Sequence, residues 1–166
     1  MAEDPDPEVF DIAAYRRALG GFATGVCVVT AQTAEGPFGI TVNSFTSVSL
    51  RPPLVLWCLD ERSDRHASFA AADRFAIHVL PIEDREMSDR FAWGVCRLSS
   101  EEFDSTNPEP PRLRNALVRL DCSAHSRILM GDHLLIIGAV ERFETRPGEA
   151  LTYFRGRYGV ASETAG

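Results

Sequence analysis

The chain has 166 residues, 45% apolar and 25% charged, which suits one globular domain with its own core and excludes a wholly disordered chain. Lys and Arg number 17 against 24 Asp and Glu, a formal net charge of -7. That balance argues against a nucleic-acid backbone as partner, because phosphate binding needs clustered cations.

The first residues are acidic and proline-rich, without the basic-then-apolar order of a signal peptide, and no apolar run reaches the length of a membrane span. Cys27, Cys58, Cys96 and Cys122 form no CxxC pair, and His66, His78, His125 and His133 lack metal-ligand spacing. The sequence therefore predicts no metal and a reducing, cytoplasmic setting.

In chain order, residues 1–7 read as a flexible arm and Glu8 to Leu19 as a helix, with Ile12, Tyr15 and Leu19 on one stripe and Gly20-Gly21 as its stop. Val26 to Ala31 is β-branched and apolar on both faces, the pattern of a buried strand. After a turn at Ala34 to Pro37, the stretch Gly39 to Leu50 predicts a second strand, bent near Ser44 to Thr46. A period of two puts Ile40, Val42, Ser44, Thr46, Val48 and Leu50 on one face. Thr41, Asn43, Phe45, Ser47 and Ser49 then share the other, which is either solvated or able to hydrogen-bond a flat heteroaromatic ligand.

Pro52-Pro53 breaks that strand, and Leu54 to Leu59 is the third. Ser63 is a suitable N-cap for a helix over residues 64–72. Phe75 to Leu80 is a fourth strand and Glu83 to Phe91 a second inserted helix, with Met87 and Phe91 four apart. Ala92 to Arg112 is a long irregular connection. Strands return at Ala116 to Arg127 and Leu134 to Glu144, joined by a turn at Met130-Gly131-Asp132. An aromatic segment follows from Leu151 to Tyr158, and residues 161–166 read as a second flexible tail. A single domain over residues 8–160 is the result.

Strands joined by short turns, with a few short helices, predict a mainly β fold: a closed or nearly closed antiparallel barrel with peripheral helices. The strands at Val26, Leu54 and Leu134 are apolar on both faces, whereas a barrel wall has one face on the core. Two short helices are little cover for three such strands, which predicts a homodimer over part of the wall.

These segments resemble the short-chain flavin reductase family, the reductase components of two-component flavin-dependent monooxygenases, built on an FMN-binding split β-barrel. Phe22-Ala23-Thr24-Gly25-Val26-Cys27-Val28-Val29-Thr30 is similar to the family's opening strand. Gly39 to Ser49 with Pro52-Pro53 is similar to its flavin-binding strand. Phe75 to Leu80, Phe91-Ala92, Gly131-Asp132-His133 with Gly138 and Val140, and Tyr153 to Tyr158 follow in family order. The resemblance implies a homodimer that transfers a hydride from NADH or NADPH to FMN or FAD and passes the reduced flavin to a partner monooxygenase. Two alternatives stand beside it: a split-barrel FMN protein that keeps its flavin for another substrate, and a non-catalytic flavin-binding protein.

Hydride transfer asks for stacked rings about 3–3.5 Å apart rather than for an acid–base pair. By resemblance, Thr41, Val42, Asn43, Ser44 and Ser47 face the flavin ring, and Cys58 either touches it or is a core thiol. Ser63, Arg65 and His66 are candidates for the flavin phosphate, with Arg90, Phe91 and Ala92 as a second group. Here the chain departs from the family's Ser/Arg/Thr cluster, having Ser63-Asp64-Arg65-His66. His133 is the candidate for positioning the nicotinamide, or else structural. Arg157 and Tyr158 lie in the segment that closes near the flavin or simply seals the barrel end.

Overall fold

The computed structural model describes residues 10–104 and 110–163. The expected flexible tail at residues 1–7, the last three residues of the one expected at 161–166, and the first two residues of the predicted leading helix lie outside them.

Helix α1 covers Ile12–Leu19. It starts at Asp11, whose carboxylate accepts the Ala14 N–H at 2.9 Å, a side-chain N-cap. It ends at Gly20, with Arg16 and Arg17 in the last turn where the helix dipole favours cations. The predicted stripe of Ile12, Tyr15 and Leu19 is exposed along its length.

Ten strands follow in order: β1 (Thr24–Gly25), β2 (Cys27–Thr33), β3 (Gly36–Val42), β4 (Thr46–Leu50), β5 (Pro53–Asp60), β6 (Arg74–Val79), β7 (Val118–Met130), β8 (His133–Thr145), β9 (Ala150–Phe154) and β10 (Arg157–Ala161). Helix α2 (His66–Ala70) separates β5 from β6, and a short 3-10 turn leads into α3 (Arg85–Trp93) after β6. Seven strands form one antiparallel sheet in the order β3-β2-β6-β7-β8-β5-β4, and β1, β9 and β10 form a small second sheet.

The two edge strands of the large sheet, β3 and β4, are consecutive in sequence. Only Asn43-Ser44-Phe45 joins them. The span from Val42 to Thr46 reaches about 14 Å at full extension. The sheet must therefore curl until its first and last strands meet, which makes it a split barrel. Ser44 fastens the seam: its Oγ accepts the Cys58 N–H at 2.9 Å and lies 3.4 Å from the Cys58 carbonyl.

This corner also corrects the predicted single strand from Gly39 to Leu50. The alternation does not run through it. Ile40, Val42 and Phe45 pack on the core, whereas Val48 and Leu50 are exposed on β4.

The barrel interior is filled by Cys27, Val29 and Ala31 of β2, Val55, Trp57 and Leu59 of β5, and Phe75 and Ile77 of β6. Trp57 meets Phe69 and Phe75 edge-on, each with ring centroids 5.9 Å apart. Gly138 of β8 makes room for Phe75, since a Cβ there would lie 2.6 Å from the ring. A second cluster, with Val28, Leu80, Phe91, Leu98, Leu113 and Leu151, covers the outer face of β2. The two apolar faces of β2 are thus satisfied within one chain. Strands β5 and β8 differ: Leu54, Leu56, Leu135 and Ile137 on their outer face remain only half-buried.

His78 is fully buried between these layers. Its Nδ1 lies 3.1 Å from the Val28 carbonyl, and its Nε2 is 3.0 Å from the Leu113 N–H. A carbonyl can only accept and an N–H can only donate. The ring is therefore neutral with its proton on Nδ1. Burial pushes its pKa down to about 3.

Candidate functional site

A cavity of about 530 Å³ opens at the barrel seam. One wall is the end of β3 and the corner: Ile40, Thr41, Val42, Asn43 and Ser44. Cys58 and Asp60 of β5 and His133 of β8 form a second, Arg62 to Arg65 a third, and Ala92 and Trp93 at the end of α3 a fourth. A smaller cavity of about 180 Å³ adjoins it, sharing Thr41, Val42, Asn43, Ala92 and Trp93 and adding Val26, Ser88, Tyr153 and Tyr158.

The wall at β3 has an open backbone edge. The Pro37 carbonyl and the Gly39 N–H point away from β2 and are taken by the Leu98 N–H at 2.9 Å and the Cys96 carbonyl at 2.7 Å. By alternation along the strand, the N–H and C=O of Thr41 point the same way. The segment 96–98 stops short of it, so among the described residues this edge is left facing the cavity.

Side chains on that wall divide by their commitments. The Thr41 hydroxyl donates to the Ser88 carbonyl at 2.7 Å, tying β3 to α3. The Ser44 hydroxyl holds the seam. Asn43 is exposed to the cavities, and its amide has no hydrogen bond among the described residues. Val42 contributes apolar surface to both cavities while packing on the core. Ser47 is exposed on β4, outside both cavities. Burial raises the Cys58 thiol above its ordinary value, with the Ser44 hydrogen bond opposing, so the group stays protonated and neutral.

The phosphate candidates are placed differently from expectation. Helix α2 begins at His66 with Arg65 at the N-cap position and no side-chain cap. Ser63 instead makes a local turn, its Oγ accepting the Arg65 N–H at 3.2 Å. Arg65 is buried, and its guanidinium donates to the carbonyls of Phe91 and, at 2.7 Å, Gly94. It is thus a clamp on the end of α3. Asp64 stands in solvent 3.6 Å from the Arg65 Nε. His66 lies outside both cavities. Arg90 also lies outside them, ion-paired with Glu102 at 2.6 Å and stacked on Phe91. Phe91 is core, pressed on Gly39, where a Cβ would lie 2.9 Å from the ring. Of that group, Ala92 alone lines the site.

His133 sits on the second wall, beside Asp60. Its Nδ1 is 2.7 Å from the Asp132 carboxylate, and its backbone pairs with Asp60 across β5 and β8. Arg62 lies 3.4 Å from Asp60 and 3.9 Å from Asp132. The His133 hydrogen bond holds the Asp132 carboxyl below its usual range, and the Arg62 N–H does the same for Asp60. Arg157 is exposed and away from both cavities. The Tyr158 ring lines the smaller cavity, and its hydroxyl bonds Asp89 at 2.8 Å and Ser88 at 2.9 Å. Burial raises the Tyr158 phenol above its ordinary value, so it remains protonated.

Asp60, Trp93 and Tyr153 belong to the walls and are not singled out by the sequence pattern. For Asp60 a signal exists: it is the first charged residue after the apolar run of β5, and so marks a strand end at the surface.

The donor set suits a flat, neutral heteroaromatic ring: an open amide edge, one free carboxamide and a neutral thiol, with Arg62 at the rim for an anionic tail. A split barrel with such a cleft at its seam defines a flavin-binding oxidoreductase class. Within that class, the chain belongs to the flavin reductase like domain family, whose model matches residues 19–162. It is 43% identical over 145 residues to FMN reductase (NADH) SmoA of Agrobacterium fabrum, covering 87% of this chain and 83% of that protein. The structure of NADH:FAD oxidoreductase SgcE6 of Streptomyces globisporus superposes with a TM-score of 0.84 at 34% identity, covering 99% of this chain and 100% of the other. The reductase component of the flavin-dependent trigonelline monooxygenase of Acinetobacter baylyi is 37% identical over 93% of this chain, which spans 50% of its length.

Proposed function

We propose that this chain is an NADH-dependent flavin reductase that binds FMN or FAD in the larger cavity and passes reduced flavin to a partner monooxygenase. The observation that carries this reading is the open edge of β3 at Thr41 beside the unpaired amide of Asn43, in the cavity that His133 also lines. The names of the relatives support NADH as the donor: one is an NADH FMN reductase and another an NADH:FAD oxidoreductase, which has also been solved with NAD and FAD fragments. The trigonelline relative supports a monooxygenase as recipient.

Bound flavin would supply the two-electron acceptor for the hydride. The chain's own residues bind and orient. The Thr41 N–H and C=O and the Asn43 amide hold the ring edge by neutral hydrogen bonds. A backbone N–H at that edge favours the reduced, more negative ring. Arg62 and Ser63 meet the phosphate, since the Arg65 fork is engaged by carbonyls. Asp132 fixes the His133 ring, leaving Nε2 to orient the carboxamide of the nicotinamide. The Cys58 thiol, kept neutral, adds no charge beside the ring.

The reading includes a homodimer. Leu56 pairs with Ile137 and Leu135 with Ile128 across the strands, so these residues share one half-covered outer face. Val48 and Leu50 on the neighbouring β4 are exposed as well. It also includes a cytoplasmic setting, supported by four free cysteines. No helix among the described residues is long and apolar enough to cross a membrane.

The test is NADH oxidation by the purified protein with and without added FMN, FAD or riboflavin. Turnover that requires free flavin supports the reading. Tight flavin binding without NADH turnover would overturn it.

A further inference from the structure

The chain has two tryptophans, and their settings are opposite. Trp57 is 0% exposed in the barrel core, whereas Trp93 is 89% exposed. Trp93 ends α3 and lines both cavities, at the seam where they meet beside Thr41 and Asn43. No ring contact or hydrogen bond within the described residues holds its indole.

Its backbone, by contrast, is firmly held. Arg65 donates to the carbonyls of Phe91 and Gly94, which bracket Ala92 and Trp93 on either side. The Gly94 N–H closes on the Arg90 carbonyl at 2.8 Å. Phe91, the anchor before it, is fully buried against Gly39. A buried cation thus fixes the main chain at one point of the cavity mouth, and that point carries a large, flat, unpartnered side chain.

We propose that Trp93 stacks on the flavin ring bound in the larger cavity. This rests on the reading of that cavity as the flavin site. An indole offers a broad π-face that any flat heteroaromatic can use, at little cost in side-chain freedom because only two torsions are fixed. The cavity walls described so far grip the ring by its edge; Trp93 supplies the face.

The experiment is a titration of the wild type, Trp93→Ala and Trp93→Phe with FMN in the absence of NADH, followed by steady-state kinetics and sedimentation. Aromatic stacking on a heterocycle corresponds to about a 5- to 150-fold change in affinity on truncation to alanine. Trp93→Ala is expected to weaken FMN binding by at least about fivefold, and Trp93→Phe to restore most of it. The KM for FMN should rise with the loss of affinity, and the melting temperature and the oligomeric state should not move. Unchanged FMN affinity in Trp93→Ala overturns the proposal, as does an equal loss in Trp93→Phe or a change in oligomeric state. If the wild type binds FMN but does not oxidise NADH, the reductase reading fails while the role of Trp93 is still decided by the titration.

Discussion

Asn43 carries the one side-chain amide on the walls of the two cavities, and it has no partner among the described residues. Asn43→Ala should therefore weaken flavin binding by about 0.5–1.5 kcal/mol, the net worth of one neutral hydrogen bond. Fold stability should not change, because the amide makes no hydrogen bond among the described residues; a flavin titration beside a melting curve checks both. His133→Ala should raise the KM for the nicotinamide donor and leave flavin affinity intact, since His133 belongs to a different wall from Thr41 and Asn43. Loss of folding in that variant would make the residue structural. His78 gives a pH prediction with a definite sign. Its folded pKa is about 3 against an ordinary 6.5, so the unfolded chain takes up the proton first. Stability from this group is complete above pH 7 or so and drains as pH falls through 6.5 toward 3, by about 2 kcal/mol at pH 5. Denaturant unfolding at two pH values checks it, and His78→Gln should lose that part of the slope.

At the scale of elements, α3 and β3 bear on each other through Gly39 and Phe91. Gly39→Ala would press a methyl group onto that ring, destabilising by about 1–3 kcal/mol. It should also weaken flavin binding, because α3 carries Ala92 and Trp93 into the site; melting and flavin titration should move together. Most strands were legible in the sequence, since β2, β5 and β6 are apolar runs bounded by turn residues. The corner at Asn43 to Phe45 was legible only as a bend. Nothing in its composition shows that three residues cross from one sheet edge to the other, as that depends on distant pairings. The same holds for Arg65: an arginine after Ser63-Asp64 reads as a phosphate ligand by local pattern, whereas its partners lie 26 and 29 residues away, on the last turn of α3 and at its C-cap. The stripe on α1 was read correctly as apolar, but its cover is not found in the described chain.

For the whole molecule, the half-covered faces of β5 and β8 and the exposed stripe of α1 lead to an oligomer prediction. Sedimentation of the wild type should give a dimer at micromolar concentration, and Ile128→Asp should shift it toward monomer without loss of secondary structure. The seam carries a consequence of a different kind. The ligand's wall is also the barrel's fastening, so cofactor occupancy and barrel closure are thermodynamically linked. A loaded barrel should breathe less at its corner than an empty one, and amide hydrogen exchange at Asn43 to Thr46 should slow on addition of FMN while exchange on β6 and β7 stays constant. That corner is short and lightly fastened: three residues and one serine hydroxyl.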